Sequence, residues 1–371
     1  MEFRSSPLES LAVSLFADCY QGCRVLLTGH TGFKGSWLAL WLQHLGAQIT
    51  GLALPPETTP NHWDLLELDI PEYRIDIRDI QAVEQAMWKI QPEMVFHLAA
   101  QPLVRRSYRD PLATWSTNVM GTANLLEACR KIPGLKAIVV VTTDKCYENQ
   151  EWPWGYRETD RLGGHDPYSA SKAAAELVLA SYRSSFFNGR DCALLATARA
   201  GNVIGGGDWS EDRLIPDLIR ALTMNETLEI RSPGATRPWQ HVLESLSGYL
   251  LLGQKLLEGR QDFAEAWNFG PDPESNRTVA EVLAGLSKHW PELAWRSVAN
   301  PEHHEANWLY LDSAKSKTRL GWRPVWKLDD TFAATADWYR ALQATGRADS
   351  RAQLADYIAA AQTAGVFRAD S

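Results

Sequence analysis

Short and almost continuous apolar runs alternate with longer segments at helical spacing along the first two hundred residues. The apolar runs predict strands at residues 24–28, 48–54, 94–100, 137–142 and 192–197. Helical spacing predicts helices at residues 36–45 and 110–131. Strands that are apolar on both faces and alternate with helices indicate a parallel sheet covered on both sides. We therefore predict an α/β fold with a doubly wound parallel sheet, whose ligands bind beyond the carboxyl ends of the strands.

The pattern changes after Gly201, where the elements become shorter and the turns carry proline and tryptophan. We divide the chain into a first domain, residues 1–200, and a smaller C-terminal lobe, residues 201–371, interleaved with the first domain. Residues 341–367 are rich in alanine, which predicts a helix.

A glycine-rich turn with Gly29, Gly32 and Gly35 follows the first predicted strand and opens a predicted helix. Such glycines permit a tight turn, close approach of a pyrophosphate, and close packing of helix on strand. Free N–H groups at the start of the helix bind phosphate oxygens. The turn therefore predicts a dinucleotide site, where we also expect Thr31, Phe33 and Lys34.

The identity of the dinucleotide depends on the ends of the next two strands. A further strand, the third along the chain, is predicted between residues 54 and 94, and Asp76, followed by Ile77, ends it, where a carboxylate could meet the adenine. The second strand ends at Pro55 without the acidic residue that binds a ribose 2′-hydroxyl, and without an arginine for a 2′-phosphate. The residues alone leave NAD and NADP open.

Tyr168 and Lys172 lie four residues apart, one turn along a predicted helix, and so share a face. A cation beside the phenol favours the phenolate, so we expect Tyr168 to ionise well below its usual pKa. Such a tyrosine can take a proton from a sugar hydroxyl. This spacing is common by chance, and its position after the glycine turn and further βα units is what gives it meaning.

Thr143, Asp144 and Lys145 follow the apolar run at residues 137–142, where doubly wound enzymes place their reacting groups. Adjacent side chains of opposite charge could act as acid and base on neighbouring carbons of a sugar. The alternative is a surface ion pair at the end of a strand.

Composition excludes several classes of function. The chain has 371 residues, a net charge of −8 and a pI near 5.6, which argues against nucleic-acid binding and a polybasic membrane patch. No apolar run reaches the roughly 20 residues that span a bilayer. The 5 cysteines are scattered without Cys-x-x-Cys pairs, which predicts a reducing cytoplasm and no structural metal.

Further motifs share one family resemblance. Over residues 24–328 the chain resembles the CDP-glucose 4,6-dehydratases, a branch of the extended short-chain dehydrogenase/reductase superfamily. The motifs that carry the resemblance are at residues 28–37, 97–105, 144–149, 163–168, 200–209, 237–242 and 304–306.

The resemblance implies a Rossmann domain that binds NAD and a lobe that binds CDP-glucose. It adds three residues to the cofactor site, namely Leu98, Ala99 and Ala100. It places six residues at the nucleotide sugar, namely Gln101, Arg105, Asn202, Arg237, His304 and Glu305. Arg237 would clamp the pyrophosphate, because its planar fork matches phosphate oxygens.

The resemblance also implies a lyase reaction. Tyr168, aided by Lys172 and Thr143, would deprotonate the glucose 4-hydroxyl while carbon 4 gives hydride to NAD. Asp144 as acid and Lys145 as base would then remove water across carbons 5 and 6, and hydride would return to carbon 6. The product, CDP-4-keto-6-deoxyglucose, is a deoxysugar precursor.

One departure and three alternatives accompany this interpretation. The dTDP-glucose relatives carry Asp-Glu in place of Asp144 and Lys145, and a lysine base must be neutral. A nucleotide-sugar 4-epimerase or decarboxylase would share the Tyr168–Lys172 pair, and a non-catalytic NAD(P) sensor would share the fold. The resemblance further implies a homodimer joined by a four-helix bundle.

Overall fold

A parallel sheet of seven strands crosses the part of the chain that the computed structural model describes, residues 15–189, 191–298 and 308–366. The strands in chain order are β1 Arg24–Thr28, β2 Gln48–Ala53, β3 Glu72–Arg74, β4 Met94–His97, β5 Ala137–Val141, β6 Leu194–Ala200, β7 Val203–Ile204, β8 Leu228–Ile230, β9 Thr236–Pro238, β10 Gln240–His241, β11 Ala266–Phe269, β12 Asn276–Thr278 and β13 Trp295–Ser297. The sheet order is β11-β6-β5-β4-β1-β2-β3, and every neighbouring pair is parallel. The strand order reverses between β1 and β4, and the predicted α/β class is confirmed.

Helices cover both faces of this sheet. They are α1 Phe33–His44, α2 His62–Leu66, α3 Ile80–Ile90, α4 Val104–Arg109, α5 Pro111–Trp115, α6 Thr122–Cys129, α7 Pro167–Phe186, α8 Leu214–Met224, α9 Val242–Leu257, α10 Val279–Leu286, α11 Leu328–Thr345 and α12 Ser350–Thr363. A π-helical segment, Ser116–Gly121, joins α5 to α6, and 3-10 turns include Asp144–Cys146. Among the described residues, no helix is long and apolar enough to cross a membrane.

Two hydrophobic cores lie on the two sides of the sheet because successive strand residues point in opposite directions. In β1, Val25 and Leu27 pack into the larger core, with residues of α1 and α9. Leu26 points the other way, into a core shared with α3, α6 and α7. Each of these side chains is fully buried, which explains why the strands read as continuous apolar runs.

Several predicted boundaries differ from the observed ones for local reasons. β4 ends at His97, and the next two backbone N–H groups, of Leu98 and Ala99, lie 3.2 Å from the Thr28 hydroxyl, to which both donate. The helix predicted at residues 110–131 is interrupted by the π-helical segment, where Asn118 bonds the backbone of Gln101.

The alanine-rich region is not one helix. α11 and α12 are separated at Gly346, which adopts a left-handed φ of 71° that favours glycine. Residues beyond 366, where the predicted helix would end, lie outside the described residues.

The chain after residue 200 returns to the sheet. β11 pairs with β6 at one edge, and α9 packs under β5 and β6. Three small two-stranded sheets, β7 with β10, β9 with β12 and β8 with β13, form the outer part. The division into residues 1–200 and 201–371 remains a prediction, since the second segment contributes both to the large sheet, through β11, and to the small outer sheets.

Glu244, on α9, joins the C-terminal helices to the larger core. Its buried carboxylate accepts hydrogen bonds from the backbone N–H groups of Val325 and Trp326 and from the Tyr357 hydroxyl on α12. Burial raises the pKa of Glu244 to about 7, although these three hydrogen bonds act in the opposite direction. The ionised form is therefore costly at neutral pH.

We predict that Glu244→Gln changes the pH dependence of stability. The pKa of Glu244 is higher in the folded chain than its usual value of 4.5, so the folded state binds more protons between these values. The free energy of unfolding therefore falls as pH rises through this window, and the glutamine removes that fall, a difference on the order of 2 kcal/mol. Urea denaturation at about pH 5 and about pH 8 measures it.

Glu258→Gln is the control, because Glu258 is an exposed carboxyl at the end of the same helix. The prediction is wrong if wild type and Glu244→Gln differ by the same free energy at both pH values.

Candidate active site

One cavity of about 1500 Å³ opens at the carboxyl ends of the central strands. It is lined by every predicted site residue that the structure describes, from Gly29 to Arg237. His304 and Glu305 lie outside the described residues, so their predicted roles stay predictions. The chain thus brings together, from four strand ends and the C-terminal lobe, residues that are far apart in sequence.

The glycine turn after β1 has no room for side chains at two of its three glycines. A Cβ at Gly29, where φ is 75°, would lie 2.6 Å from the backbone nitrogen of Ala99. A Cβ at Gly35 would lie 2.0 Å from the Gly29 carbonyl oxygen. These two glycines allow β1, β4 and α1 to pack closely, as the spacing predicts.

Gly32 plays a different part, because a Cβ there would meet nothing nearer than 3.4 Å. It is the N-cap of α1 and has no side chain with which to cap the first N–H groups of the helix. Bare N–H groups at a helix start that faces a cavity suit a pyrophosphate. The residues present therefore fit a dinucleotide.

At the adenine end of this site, the role of Asp76 is less direct than the sequence suggests. Asp76 lies two residues beyond β3, and its carboxylate is held by the Arg78 side chain at 2.6 to 3.0 Å. The Arg78 hydrogen bond is the main cause that lowers the pKa of Asp76. Ile77 is buried against Gly121, so this pair of residues shapes the cavity wall.

Asp144 lies in the 3-10 turn after β5, in the most buried part of the cavity lining. We call this part, formed by Thr143, Asp144 and Tyr168, the floor. The Thr143 hydroxyl donates to Asp144 Oδ1 at 2.9 Å, while Oδ2 is buried and has no hydrogen-bond partner among the described residues. Burial raises the pKa of Asp144, against the influence of Lys145, Thr143, Arg237 and Lys34. A Cβ on Gly201 would come within 2.9 Å of Oδ2, so this glycine leaves space for the carboxyl group.

Tyr168 is buried beside the same floor, but its predicted low pKa is wrong for the protein alone. Burial raises the pKa of Tyr168 to about 12, and a hydrogen bond with Thr143 and the charge of Arg213 only partly offset this effect. Lys172 Nζ donates to the Val141 carbonyl oxygen at 3.3 Å. Burial lowers the pKa of Lys172 to about 8.

The surroundings of Lys34 differ from those of a lysine that only binds phosphate. Lys34 lines the cavity, and its partly buried Nζ donates to the buried Tyr249 hydroxyl at 3.2 Å. Burial lowers the pKa of Lys34 to about 7, the nearby charges of Arg213 and Lys172 lower it further, and Asp144 acts in the opposite direction. The lysine of the glycine turn therefore belongs to the electrostatic surroundings of the floor.

A buried ion pair behind the floor was not predicted. Glu176 and Arg199 are each 3% exposed and meet through two contacts of 2.7 and 3.0 Å. Thr142 and Thr197 also donate to the carboxylate, and Arg199 donates to the Tyr147 hydroxyl at 2.7 Å. Glu176 follows Lys172 by four residues in a helix otherwise rich in alanine, which was the available signal.

The predicted substrate residues occupy the walls. The Gln101 side chain is engaged by Thr114 and the Leu103 backbone, so it also holds the loop after β4. Arg237 is buried, and its charge acts on Asp144. Asn202 lines the cavity. Within the described ranges, no cluster of three or more His, Cys, Asp or Glu side chains could hold a metal ion.

Comparison with known proteins agrees with this geometry. A CDP-glucose 4,6-dehydratase of Salmonella typhimurium is 48% identical over 329 residues, which cover 87% of this chain and 92% of the relative. A dTDP-glucose 4,6-dehydratase of Xanthomonas campestris is 28% identical over 85% of this chain and 92% of its own.

Solved structures share the fold over most of their length. A dTDP-glucose 4,6-dehydratase of Streptomyces venezuelae, solved with NAD, has a TM-score of 0.74 at 27% identity, covering 86% of this chain and 98% of that chain. A UDP-glucose 4-epimerase of Thermus thermophilus, also solved with NAD, has a TM-score of 0.74 at 25% identity, covering 85% and 99%. The model of the NAD dependent epimerase/dehydratase family matches residues 25–270. This chain belongs to that family.

Proposed function

We propose that this protein is a CDP-glucose 4,6-dehydratase, a lyase that uses NAD without consuming it. The observation that carries the proposal is the buried, partly unpaired carboxyl of Asp144 beside Tyr168, with Lys145 next to it in the chain. The relative from Salmonella typhimurium, named for this activity, supports the substrate.

The cofactor is NAD, in keeping with the family and with the glycine turn at the start of α1. Gly32 and the first N–H groups of α1 would hold its pyrophosphate, and Leu98 to Ala100 would line the path to the floor. When bound, NAD supplies a reversible hydride acceptor and a positive charge in the cavity.

Tyr168 acts as the base for the sugar 4-hydroxyl in this proposal. Its high pKa in the protein alone makes the phenolate a strong proton acceptor once positive charge lowers the cost of forming it. Thr143 already hydrogen-bonds the phenol, and Lys172 lies one turn along the helix. Lys172 can therefore stabilise the phenolate when substrate is bound, and Thr143 can do so when its hydroxyl proton turns from Asp144 to the phenolate.

Asp144 is suited to deliver a proton to the departing 6-hydroxyl. An acid must keep its proton at neutral pH, and burial raises the pKa of Asp144 in the required direction. Because Oδ1 takes the Thr143 hydrogen bond, the proton is expected on Oδ2, which has no partner among the described residues.

Lys145 is the candidate base for the carbon 5 proton. It lines the cavity and is half-buried, unlike the fully buried Asp144. The ketone at carbon 4 acidifies this proton, so a neutral amine next to the acid completes the elimination. The role rests on position beside Asp144 and on the chemistry that the step needs.

In an epimerase of the same fold, Asp144 and Lys145 would have no catalytic role. Such an enzyme needs Tyr168 and bound cofactor but removes no water. The buried carboxyl of Asp144, with space kept for it by Gly201, favours the dehydratase. A non-catalytic sensor would not require a buried Tyr168 and Lys172 facing one cavity.

The nucleotide diphosphate would lie toward the C-terminal lobe. Arg237 is buried close enough to influence Asp144, so a phosphate beside it would bring the attached sugar over the floor. Asn202, two residues after β6, can add amide donors.

We further propose that the protein is a homodimer through α5, the π-helical segment, α6 and α7. Leu112, Met120 and Leu177 are 79%, 56% and 62% exposed on these neighbouring helices. A stripe of small residues on α7, including Ala170, Ala174 and Ser181, would allow close approach of a second copy. Two helices from each copy would make a symmetric four-helix interface.

The cytoplasm is the proposed compartment. All 5 cysteines are free thiols, although Cys19 and Cys23 lie near each other in sequence. Unpaired cysteines are usual in a reducing compartment.

The proposed reaction predicts a mass change in deuterated water. The purified protein, CDP-glucose and a trace of oxidised NAD should give a product that has lost one water and kept one solvent deuterium at carbon 5. Mass spectrometry of the product checks this outcome. An isomer of unchanged mass would instead support epimerisation and leave Asp144 and Lys145 without their roles.

The two halves of the reaction should separate by mutation. Tyr168→Phe should reduce turnover on the order of a hundredfold or more while leaving cofactor binding nearly intact, because it removes the first proton acceptor. Lys145→Ala should still form the 4-keto sugar and reduced cofactor but stall before water is lost. Product mass and the near-ultraviolet absorbance of reduced cofactor distinguish the two blocks.

Tyr182→Phe is a matched control on the same helix, since Tyr182 bonds Glu127 and does not line the cavity. Wild-type turnover by Tyr168→Phe, or normal dehydration by Lys145→Ala, would remove that residue from the mechanism.

The dimer predicts that one charge on α7 prevents association. Leu177→Glu should convert a dimer into a monomer, because it places a carboxylate in an apolar helix interface. Met224→Glu is the control, with the same charge at a residue of α8 that is also 62% exposed. Light scattering after size exclusion measures the mass. A dimeric Leu177→Glu variant would contradict the proposed interface.

A further inference from the structure

Asp212 lies at the rim of the cavity between two arginines from different parts of the chain. Arg105 on α4 donates to Asp212 Oδ1 at 3.1 Å, and Arg231, just after β8, donates to the same oxygen at 3.3 Å. The backbone of Asp212 is left-handed, with a φ of 57°, a conformation that Asp adopts more readily than most residues other than glycine.

The cluster formed by Arg105, Asp212 and Arg231 is more exposed to solvent than the catalytic floor. Asp144 is 1% exposed, whereas the side chains of Asp212 and Arg231 are each 28% exposed. A nucleotide sugar has its base at one end and its sugar at the other, separated by the ribose and the diphosphate. With the sugar over Asp144 and the diphosphate at Arg237, the base would reach the rim.

Asp212 and Arg231 present an acceptor next to donors. Asp212 Oδ2 accepts no hydrogen bond from the described residues, and the Arg231 guanidinium is a fork of N–H groups. Only one of its nitrogens contacts Asp212. The pair therefore keeps both an acceptor and donors that the hydrogen bond between them does not use.

This pattern complements the pairing edge of cytosine. Cytosine has an amino donor at N4 beside the N3 acceptor, so a carboxylate and a guanidinium can bond both groups. Uracil and thymine carry an O4 acceptor beside an N3 donor, so each would meet a group of the same kind. A site that bonds one pattern rejects the other because its own polar groups would be left unpaired.

We propose that Asp212 and Arg231 form the subsite that reads the cytosine of the nucleotide sugar. Arg105 holds Asp212 in position from the opposite wall, through its own hydrogen bond to Oδ1. The inference rests on the proposed CDP-glucose activity and adds the residues that select the base. Adenine has a similar amino and ring-nitrogen edge, so ADP is a necessary competitor in the test.

Calorimetric binding of CDP, UDP and ADP to the cofactor-loaded protein tests the subsite without turnover. Wild type should prefer CDP to UDP by about tenfold or more, the discrimination of one well-made base contact. Asp212→Asn should lose most of this preference and bind UDP better than wild type does, because its amide can donate to O4. Arg231→Met should also lose the preference for CDP.

Glu211→Gln is the matched control, since Glu211 has the same charge on the same loop and accepts instead from Arg109 at 2.6 Å. It should keep the preference for CDP.

Three outcomes would overturn the inference. They are a preference for CDP that survives Asp212→Asn, an equal loss of affinity for all three nucleotides, and a wild type that does not prefer CDP. Turnover of CDP-glucose, measured by product mass, reports on the proposed function separately. An enzyme that dehydrates CDP-glucose while Asp212→Asn keeps its base preference would leave the function intact and refute only the subsite.

Discussion

The buried ion pair between Glu176 and Arg199 is the interaction on which the geometry of the site depends. Removing two charges from water costs several kcal/mol per ion, which is recovered only when all the polar atoms are satisfied. Here Thr142, Thr197 and Tyr147 complete the set. Breaking such a pair costs about 3–5 kcal/mol, so the groups around it have little freedom to move. The ends of β5 and β6 and the middle of α7 are therefore fixed relative to one another.

This fixed frame explains how the floor is arranged. Thr143 follows directly after Thr142, and Lys172 precedes Glu176 by one turn of α7. Burial is the leading influence on the pKa of Lys172, which it lowers, and the negative charge of Glu176 opposes it. Burial also tends to raise the pKa of Glu176, but Arg199 and its hydrogen bonds more than offset this, so the carboxyl stays ionised. The pair thus fixes positions behind the site, and its ionised carboxylate lies one turn of α7 from Lys172.

Most of the fold and much of the site could be predicted from the sequence, because both depend on local residue patterns. Apolar runs located β1, β2, β4, β5 and β6 to within a few residues but not β11, and the glycine turn located the start of α1. Long-range partners were not accessible in this way. Lys34 is read locally as part of the glycine turn, yet its bond to Tyr249 crosses 215 residues. Likewise, the low pKa expected for Tyr168 followed from helical spacing, whereas burial, which depends on tertiary packing, decides its direction.

The floor and the rim of the cavity differ in burial, and this difference suits them to different roles. Groups that must hold or give protons at unusual pKa values need exclusion from water, which Asp144 and Tyr168 have on the floor. Selection of a base needs a fixed pattern of donors and acceptors that incoming substrate can still reach, and the subsite proposed at Asp212 is exposed enough for this. A change at the rim can therefore alter which nucleotide is accepted without altering the proton chemistry below. The relatives named for CDP-glucose and for dTDP-glucose match this chain over most of its length, so one fold accommodates different nucleotide sugars.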